Sequence, residues 1–265
     1  MLKSEMGGYL KEAVVALTMT PADYDARSIH KAISGAGTKE SWLIEIFCTR
    51  SNAEIKAIAA SYLSRYKTNL EESIESDTSG HFKRFLVSAI QGNRAELTPT
   101  QTEQVLQNGP ACMVDRALAA EEAAELYSAG ELQFGTDESV FLKVMATRNV
   151  YQLRATFEEY QKMAGCHIME AISKEMSGDI QETFKTLVMT TLDIPTYFAY
   201  KLFDAMRGFG TKDTTLIRIV ISRSEIDLAN IKEAYKREFS KELSDAIKSE
   251  TSGEYKRLLV AIVRY

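Results

Sequence analysis

The chain has 265 residues, 45% hydrophobic and 26% charged, which is ordinary for a soluble globular protein and enough to bury a substantial core. Its formal charge is -5 and its pI about 5.5, so its long-range field opposes non-specific binding to nucleic acid and direct attraction to an anionic lipid surface. Contact with a phosphate-rich partner then requires a bridging cation.

The N-terminal "MLKSEMGGYLKEAVVALTMT" is no signal peptide, because its apolar stretch is short and Lys11 and Glu12 stand just before it. No run is long enough for a transmembrane span, so a soluble, cytoplasmic protein is expected. Within residues 39–50, "KESWLIEIFCTR", Trp42, Leu43, Ile46 and Phe47 fall on one helical face. Ser51-Asn52 reads as a helix start, and Ile55, Ile58, Ala59 and Tyr62 give the next helix its face. The polar stretch 91–110, "QGNRAELTPTQTEQVLQNGP", reads as a linker. Farther on, Asp193 or Thr196 opens a helix through "YFAYKLFDAM". Strand-like alternation is absent throughout, and the predicted class is all-α.

Internal repetition organises these elements. Gly-Thr pairs end at Thr38, Thr136 and Thr211, and twelve residues after each threonine comes an arginine: Arg50, Arg148, Arg223. Thirty-nine residues after each threonine comes an acid (Asp77, Glu175, Glu250), followed three residues later by Gly80, Gly178 or Gly253. The opening "SEMGGYLKEAVVAL" aligns with "SDTSGHFKRFLVSAI" and "SETSGEYKRLLVAIV", so Glu5 and Gly8 stand at the acid and glycine positions of a partial fourth copy. Each unit reads as about five short helices. The first leads into the GxGT loop, and the acid lies in the turn before the fifth.

Glycines permit positive φ and close backbone approach, so "GAGT" and "GFGT" are able to curl several carbonyl oxygens toward one point. Carbonyls joined by one carboxylate, with room for water, suit a hard cation such as Ca²⁺. A single copy would favour a plain helix C-cap with a distant N-cap; three copies at a constant offset reverse that and favour the metal. A Walker A loop is excluded because "GFGTKDT" lacks Gly-Lys-Ser/Thr in succession and no strand precedes it. The local EF-hand signature is missing as well.

"MRGFGT" with Glu250, "ISGAGT" with Asp77, "AGELQFGT" with Glu175 and the stretch "SRSEIDLANIKEAY" closely resemble annexin repeats, over essentially the whole chain. The resemblance implies an all-α fold of annexin-like repeats, about five helices each, in a curved, superhelical array. It also implies Ca²⁺-dependent binding to acidic phospholipid, and no enzymatic activity. In that frame residues 1–20 are the remnant of a first repeat, 22–93 the second, 94–110 a linker, 111–192 the third and 195–265 the fourth. A family-typical chain would carry further residues before Met1, and apolar surface is then expected on the last repeat.

Carried over residue by residue, the resemblance implies three calcium sites. The carbonyls of Ile33, Gly35 and Gly37 would join Asp77; those of Gly130, Gln133 and Gly135 would join Glu175; those of Met206, Gly208 and Gly210 would join Glu250. Accessory sites would use Glu40, Glu138 and Asp213. The family's usual Asp after GxGT is kept as Asp137 but is Lys39 and Lys212 elsewhere, which either weakens calcium binding or supplies direct contacts to lipid phosphate. Phe134 and Phe209, at loop tips, either insert shallowly into the membrane interface or pack under their loops. The partners implied are an anionic, phosphatidylserine-type membrane surface and protein partners, with no nucleic acid. The place would be the cytoplasm and, when calcium rises, the inner face of the plasma membrane. The alternative is a calcium-independent helical scaffold for protein partners.

The smaller features read as structure. The three arginines are expected in ion pairs or on helix-end carbonyls, and Trp42 in the core. Cys48, Cys112 and Cys166, with no CxxC pair, are expected as buried thiols. His30, His81 and His167 lie singly, and no HExxH or GxSxG occurs, so no catalytic constellation is present.

Overall fold

The computed structural model describes residues 7–35, 37–130, 136–208 and 210–264. Among these the regular elements are all helical: seventeen α-helices and one 3₁₀ turn, with no strand. In chain order α1 spans Gly8–Leu17, α2 Pro21–Ile33, α3 Glu40–Thr49, α4 Asn52–Tyr66, α5 Leu70–Asp77 and α6 Gly80–Ile90. Then come α7 Pro99–Asn108, a 3₁₀ turn at Pro110–Met113, α8 Arg116–Gly130, α9 Glu138–Met145, α10 Val150–Ala164, α11 Ile168–Glu175 and α12 Gly178–Leu192. The last five are α13 Ile194–Met206, α14 Asp213–Arg223, α15 Leu228–Phe239, α16 Leu243–Glu250 and α17 Gly253–Arg264. Helices α2–α6, α8–α12 and α13–α17 are thus three successive sets of five, each with its GxGT loop between the first and second member.

The helix boundaries follow from local chemistry. Ser51 and Glu54 form a reciprocal capping box at the start of α4, Thr98 and Gln101 do the same for α7, and Asp193 accepts from the Thr196 backbone N–H to start α13. Each acid at the end of a fourth helix is followed by a short extended link and then a glycine that enters the fifth helix at positive φ. Gly80, Gly178 and Gly253 have φ of 62°, 65° and 61°, and Gly8 at the head of α1 has 60°. A side chain is strained in that region, which explains why glycine recurs there in all four copies.

The chain divides into two compact units. In residues 25–192, α8 lies along α10, and α3 packs on α12, joining two five-helix sets. Leu43, Ile46, Phe184, Leu187 and Val188 are fully or almost fully buried, and Trp42 is only 9% exposed. Cys48 lies in this packing with its Sγ 4.0 Å from the Thr183 carbonyl, and burial pushes its thiol up to about 12, which leaves it protonated and unreactive. The expectation of buried thiols holds for Cys48 alone: Cys112 is exposed and Cys166 half-buried. The segment 94–110 carries α7 and is pinned to its neighbours, Asn52 Nδ2 donating to the Arg94 carbonyl at 2.7 Å and the Ala95 N–H to the Thr147 carbonyl at 2.7 Å.

In the unit made of residues 1–24 and 193–265, α1 packs on α14 and α17. Ala13, Ala16, Tyr24 and Ile217 form a small buried cluster there, with Met19, Ile221, Tyr255 and Leu258 at its edge. Small alanines on α1 let the helix approach closely, so part of the apolar surface expected on the last five-helix set is covered. A groove of about 510 Å³ beside it stays open, with Leu17, Leu228, Ala229, Ala261 and Ile262 along its walls.

All three arginines are in ion pairs. Arg50 binds Asp25 through Nε at 2.7 Å with both groups buried, Arg148 binds Glu122 at 2.5 Å, and Arg223 binds Asp227, four residues along, at 2.7 Å. The Asp25 and Glu45 carboxylates hold the Arg50 guanidinium charged and outweigh the opposing effect of its burial.

Candidate functional site

Each GxGT loop is closed twice, once through backbone and once through a hydroxyl. The N–H of the residue after the threonine donates back to an alanine carbonyl near the end of the first helix: Lys39 to Ala32 at 2.9 Å, Asp137 to Ala129 at 2.9 Å, Lys212 to Ala205 at 2.8 Å. The threonine hydroxyl then reaches the acid thirty-nine residues ahead. Thr38 Oγ1 lies 2.7 Å from Asp77 Oδ2 and 3.3 Å from the Asp77 carbonyl; Thr136 donates to the Glu175 carbonyl at 2.8 Å and Thr211 to the Glu250 carbonyl at 3.0 Å. The spacing read from the sequence therefore corresponds to a physical contact in all three sets.

Between these closures the backbone turns inside out. Gly35, Gly37, Gly208 and Gly210 adopt φ of 127°, 86°, 93° and 87°, and nothing lies within 4 Å of where a Cβ would stand. Positive φ takes these four glycines out of the helical run of carbonyl directions, and the open space beside them leaves their loop face to solvent. Ile33 and Met206, the remaining carbonyl donors expected in these loops, are the last residues of α2 and α13. Their carbonyls fall among the last four of a helix, which have no intrahelical donor.

The middle loop is built differently. By its backbone closure it is one residue longer, and Gly130 ends α8 in helical conformation. A Cβ at Gly130 would stand 3.9 Å from Glu175 Cγ and 3.8 Å from Phe141 Cζ, so the acid's side chain lies against the end of the first helix. Gln133, Phe134 and Gly135 of this loop, together with Ala36, Phe209 and Glu5, lie outside the described residues.

The accessory acids Glu40, Glu138 and Asp213 are each the first residue of a second helix, where a negative charge complements the helix dipole. Two of them already face other side chains. Glu138 Oε2 is 3.8 Å from His81 Nε2, and burial pushes the Asp213 carboxyl above the usual carboxylate range beside Tyr255, whose hydroxyl burial and the Asp213 charge push upward.

Replacing Asp by Lys after the threonine has a local cost. Asp137 caps α9, its carboxylate accepting from the Ser139 N–H at 3.0 Å, whereas Lys39 and Lys212 give α3 and α14 no side-chain cap. A missing cap costs about 1 kcal/mol. Both lysines are exposed, and Lys39 holds its Nζ over the Trp42 ring, 4.5 Å from the centroid. Among the described residues no group of three or more His, Cys, Asp or Glu gathers to hold a metal. A cation here would rest on backbone carbonyls and one carboxylate, a hard-oxygen set that suits Ca²⁺.

The annexin family model matches residues 24–89, 122–187 and 197–262, one five-helix set each. The chain belongs to the annexin family. It is 47% identical to human annexin A7 over 262 residues, which is 99% of this chain and 51% of that protein, so the chain spans about half the length of that relative. Among solved annexins, annexin III superposes with a TM-score of 0.91 at 37% identity, covering 99% of this chain and 77% of that one. A calcium-bound annexin (Sm)1 superposes at 0.89 with 33% identity, covering 100% and 75%. The family model thus falls once on each five-helix set, and the loops just described are the GxGT loops of those three matches.

In the sequence the threonines are only spacers with no bond assigned, and nothing marks Ala32, Ala129 and Ala205, although each stands one residue before the first expected carbonyl ligand.

Proposed function

We propose that this chain docks reversibly on acidic, phosphatidylserine-type phospholipid membrane when calcium rises. The observation that carries this reading is the threefold recurrence of a glycine loop tied by its threonine to a carboxylate-bearing residue thirty-nine positions away. In repeat II, Ile33, Gly35, Gly37 and Asp77 would hold the ion; in repeat III, Gly130, Gln133, Gly135 and Glu175; in repeat IV, Met206, Gly208, Gly210 and Glu250. Glu40, Glu138 and Asp213 would serve accessory sites, with the last two competing against His81 and Tyr255. Bound Ca²⁺ supplies excess positive charge and free coordination positions for phosphate or serine carboxylate oxygens.

The chain's own residues supply the rest. An overall charge of -5 keeps affinity for an anionic leaflet low without the cation. The backbone closures at Ala32, Ala129 and Ala205 fix the loops in shape, so little ordering is required on binding. Three weak sites sum to strong avidity when they meet one surface together. Lys212, exposed beside its loop, adds an ammonium for lipid phosphate, as does Lys39 once it leaves Trp42; Phe134 and Phe209 would touch the interface. The calcium-bound annexin (Sm)1 supports the choice of ion. The reading places the protein in the cytoplasm, recruited to the inner face of the plasma membrane, and no helix among the described residues is long and apolar enough to cross a membrane. Co-sedimentation with phosphatidylserine vesicles in calcium, abolished by chelator, is the expected result. Sedimentation unchanged by chelator would replace this reading with a calcium-independent scaffold.

A further inference from the structure

Thr38, Thr136 and Thr211 occupy the same place in their repeats, yet their hydroxyls meet different acceptors. Thr136 and Thr211 donate to the backbone carbonyls of Glu175 and Glu250 at 2.8 and 3.0 Å. Thr38 is closer to the carboxylate, 2.7 Å from Asp77 Oδ2, than to the Asp77 carbonyl at 3.3 Å. A hydroxyl has one proton, and a shorter bond to a charged acceptor is the stronger one. We infer that Thr38 is a positioning residue that holds the Asp77 carboxylate in place before any ion arrives, making repeat II the preorganised site of the three. This deepens the calcium reading and rests on it.

The difference comes from side-chain length. A hydroxyl docked at a residue's own carbonyl reaches an aspartate carboxylate one methylene out, while a glutamate carboxylate extends past it. The bond does not block coordination, because a carboxylate oxygen that accepts one hydrogen bond keeps a second lone pair. A carboxylate already held has lost its rotamer freedom ahead of binding, so less entropy is lost when the ion is captured. The carboxylates of Glu175 and Glu250 receive no threonine bond, which goes to their backbone carbonyls instead, so they give up more freedom on binding.

Trp42 is the sole tryptophan and begins two residues into α3, just past Thr38 and Lys39, so its emission is a local reporter for repeat II. The test is a calcium titration of the full chain with phosphatidylserine vesicles, read by that emission. Thr38→Val is expected to raise half-saturating calcium about tenfold, the effect typical of losing a group that orients a metal ligand, while Thr38→Ser and Thr136→Val leave it near the parent value. In an Asp77→Glu background the same Thr38→Val change is expected to have little effect, because the longer carboxylate no longer depends on the hydroxyl. Equal losses in both backgrounds, or no loss in either, would overturn the positioning role. Asp77→Ala separates the two readings: it abolishes the Trp42 response if repeat II binds calcium, and a retained response overturns the calcium site and the role of Thr38 with it.

Discussion

The loop from Ile33 to Lys39 and the loop from Met206 to Lys212 share a frame and differ in what the frame carries. Both close onto an alanine carbonyl, both hold two glycines at positive φ, and both are tied by a threonine to an acid thirty-nine residues on. For the first of these loops the acid is the short Asp77, half-buried and bonded to the threonine; for the other it is the longer Glu250, exposed. Lys39 lies over Trp42, whereas the residue three past Lys212 is Thr215, which offers no ring. The arginine that ends the second helix follows the same division. Arg50 crosses to Asp25 on α2, while Arg223 stays within four residues at Asp227. Backbone geometry is thus repeated faithfully while side chains make one copy tighter and the other more open.

The sharpest way to break that contrast is at the arginines. Arg50→Ala leaves Asp25 charged and buried, and the expected loss is about 3–5 kcal/mol in urea unfolding. Arg223→Ala leaves Asp227 able to turn toward water, and about 1–2 kcal/mol is expected. Equal losses would erase the distinction between a staple across helices and a local pair.

A smaller effect separates the lysines. Lys212→Ala is expected to weaken vesicle binding by about 1 kcal/mol at low salt, the usual worth of one basic side chain at an anionic surface. Lys39→Ala should cost less, because its ammonium is already engaged with Trp42. A larger loss at Lys39 would mean that the ring presents the cation to lipid rather than holding it back.

Much of this was legible in the sequence because it is periodic. Apolar spacing in 39–50 and 51–62 located α3 and α4, and the constant offsets of arginine, acid and glycine exposed the repeat. What stayed hidden depends on closeness between residues that carry no shared spacing. The shorter acid at position 77 is legible in the sequence, but its bond to Thr38, where Thr136 bonds a carbonyl, is not, because the spacing of thirty-nine is the same in both. His81 beside Glu138 and Lys39 over Trp42 are likewise products of packing. The three alanines were silent because alanine is common in helices, and their carbonyls rather than their side chains do the work. Cys112 and Cys166 depart from the expected burial because thiol burial is a statistical tendency; Cys112 lies exposed in a 3₁₀ turn and Cys166 half-buried just after α10.

The central claim is that three tied acids switch the chain onto membrane. Vesicle binding measured against calcium for the Asp77→Ala, Glu175→Ala, Glu250→Ala triple variant tests it most directly. The account predicts no binding at calcium that saturates the parent chain, with a cooperative melt retained in chelator. A triple variant that still bound acidic vesicles with the parent's calcium dependence would contradict it.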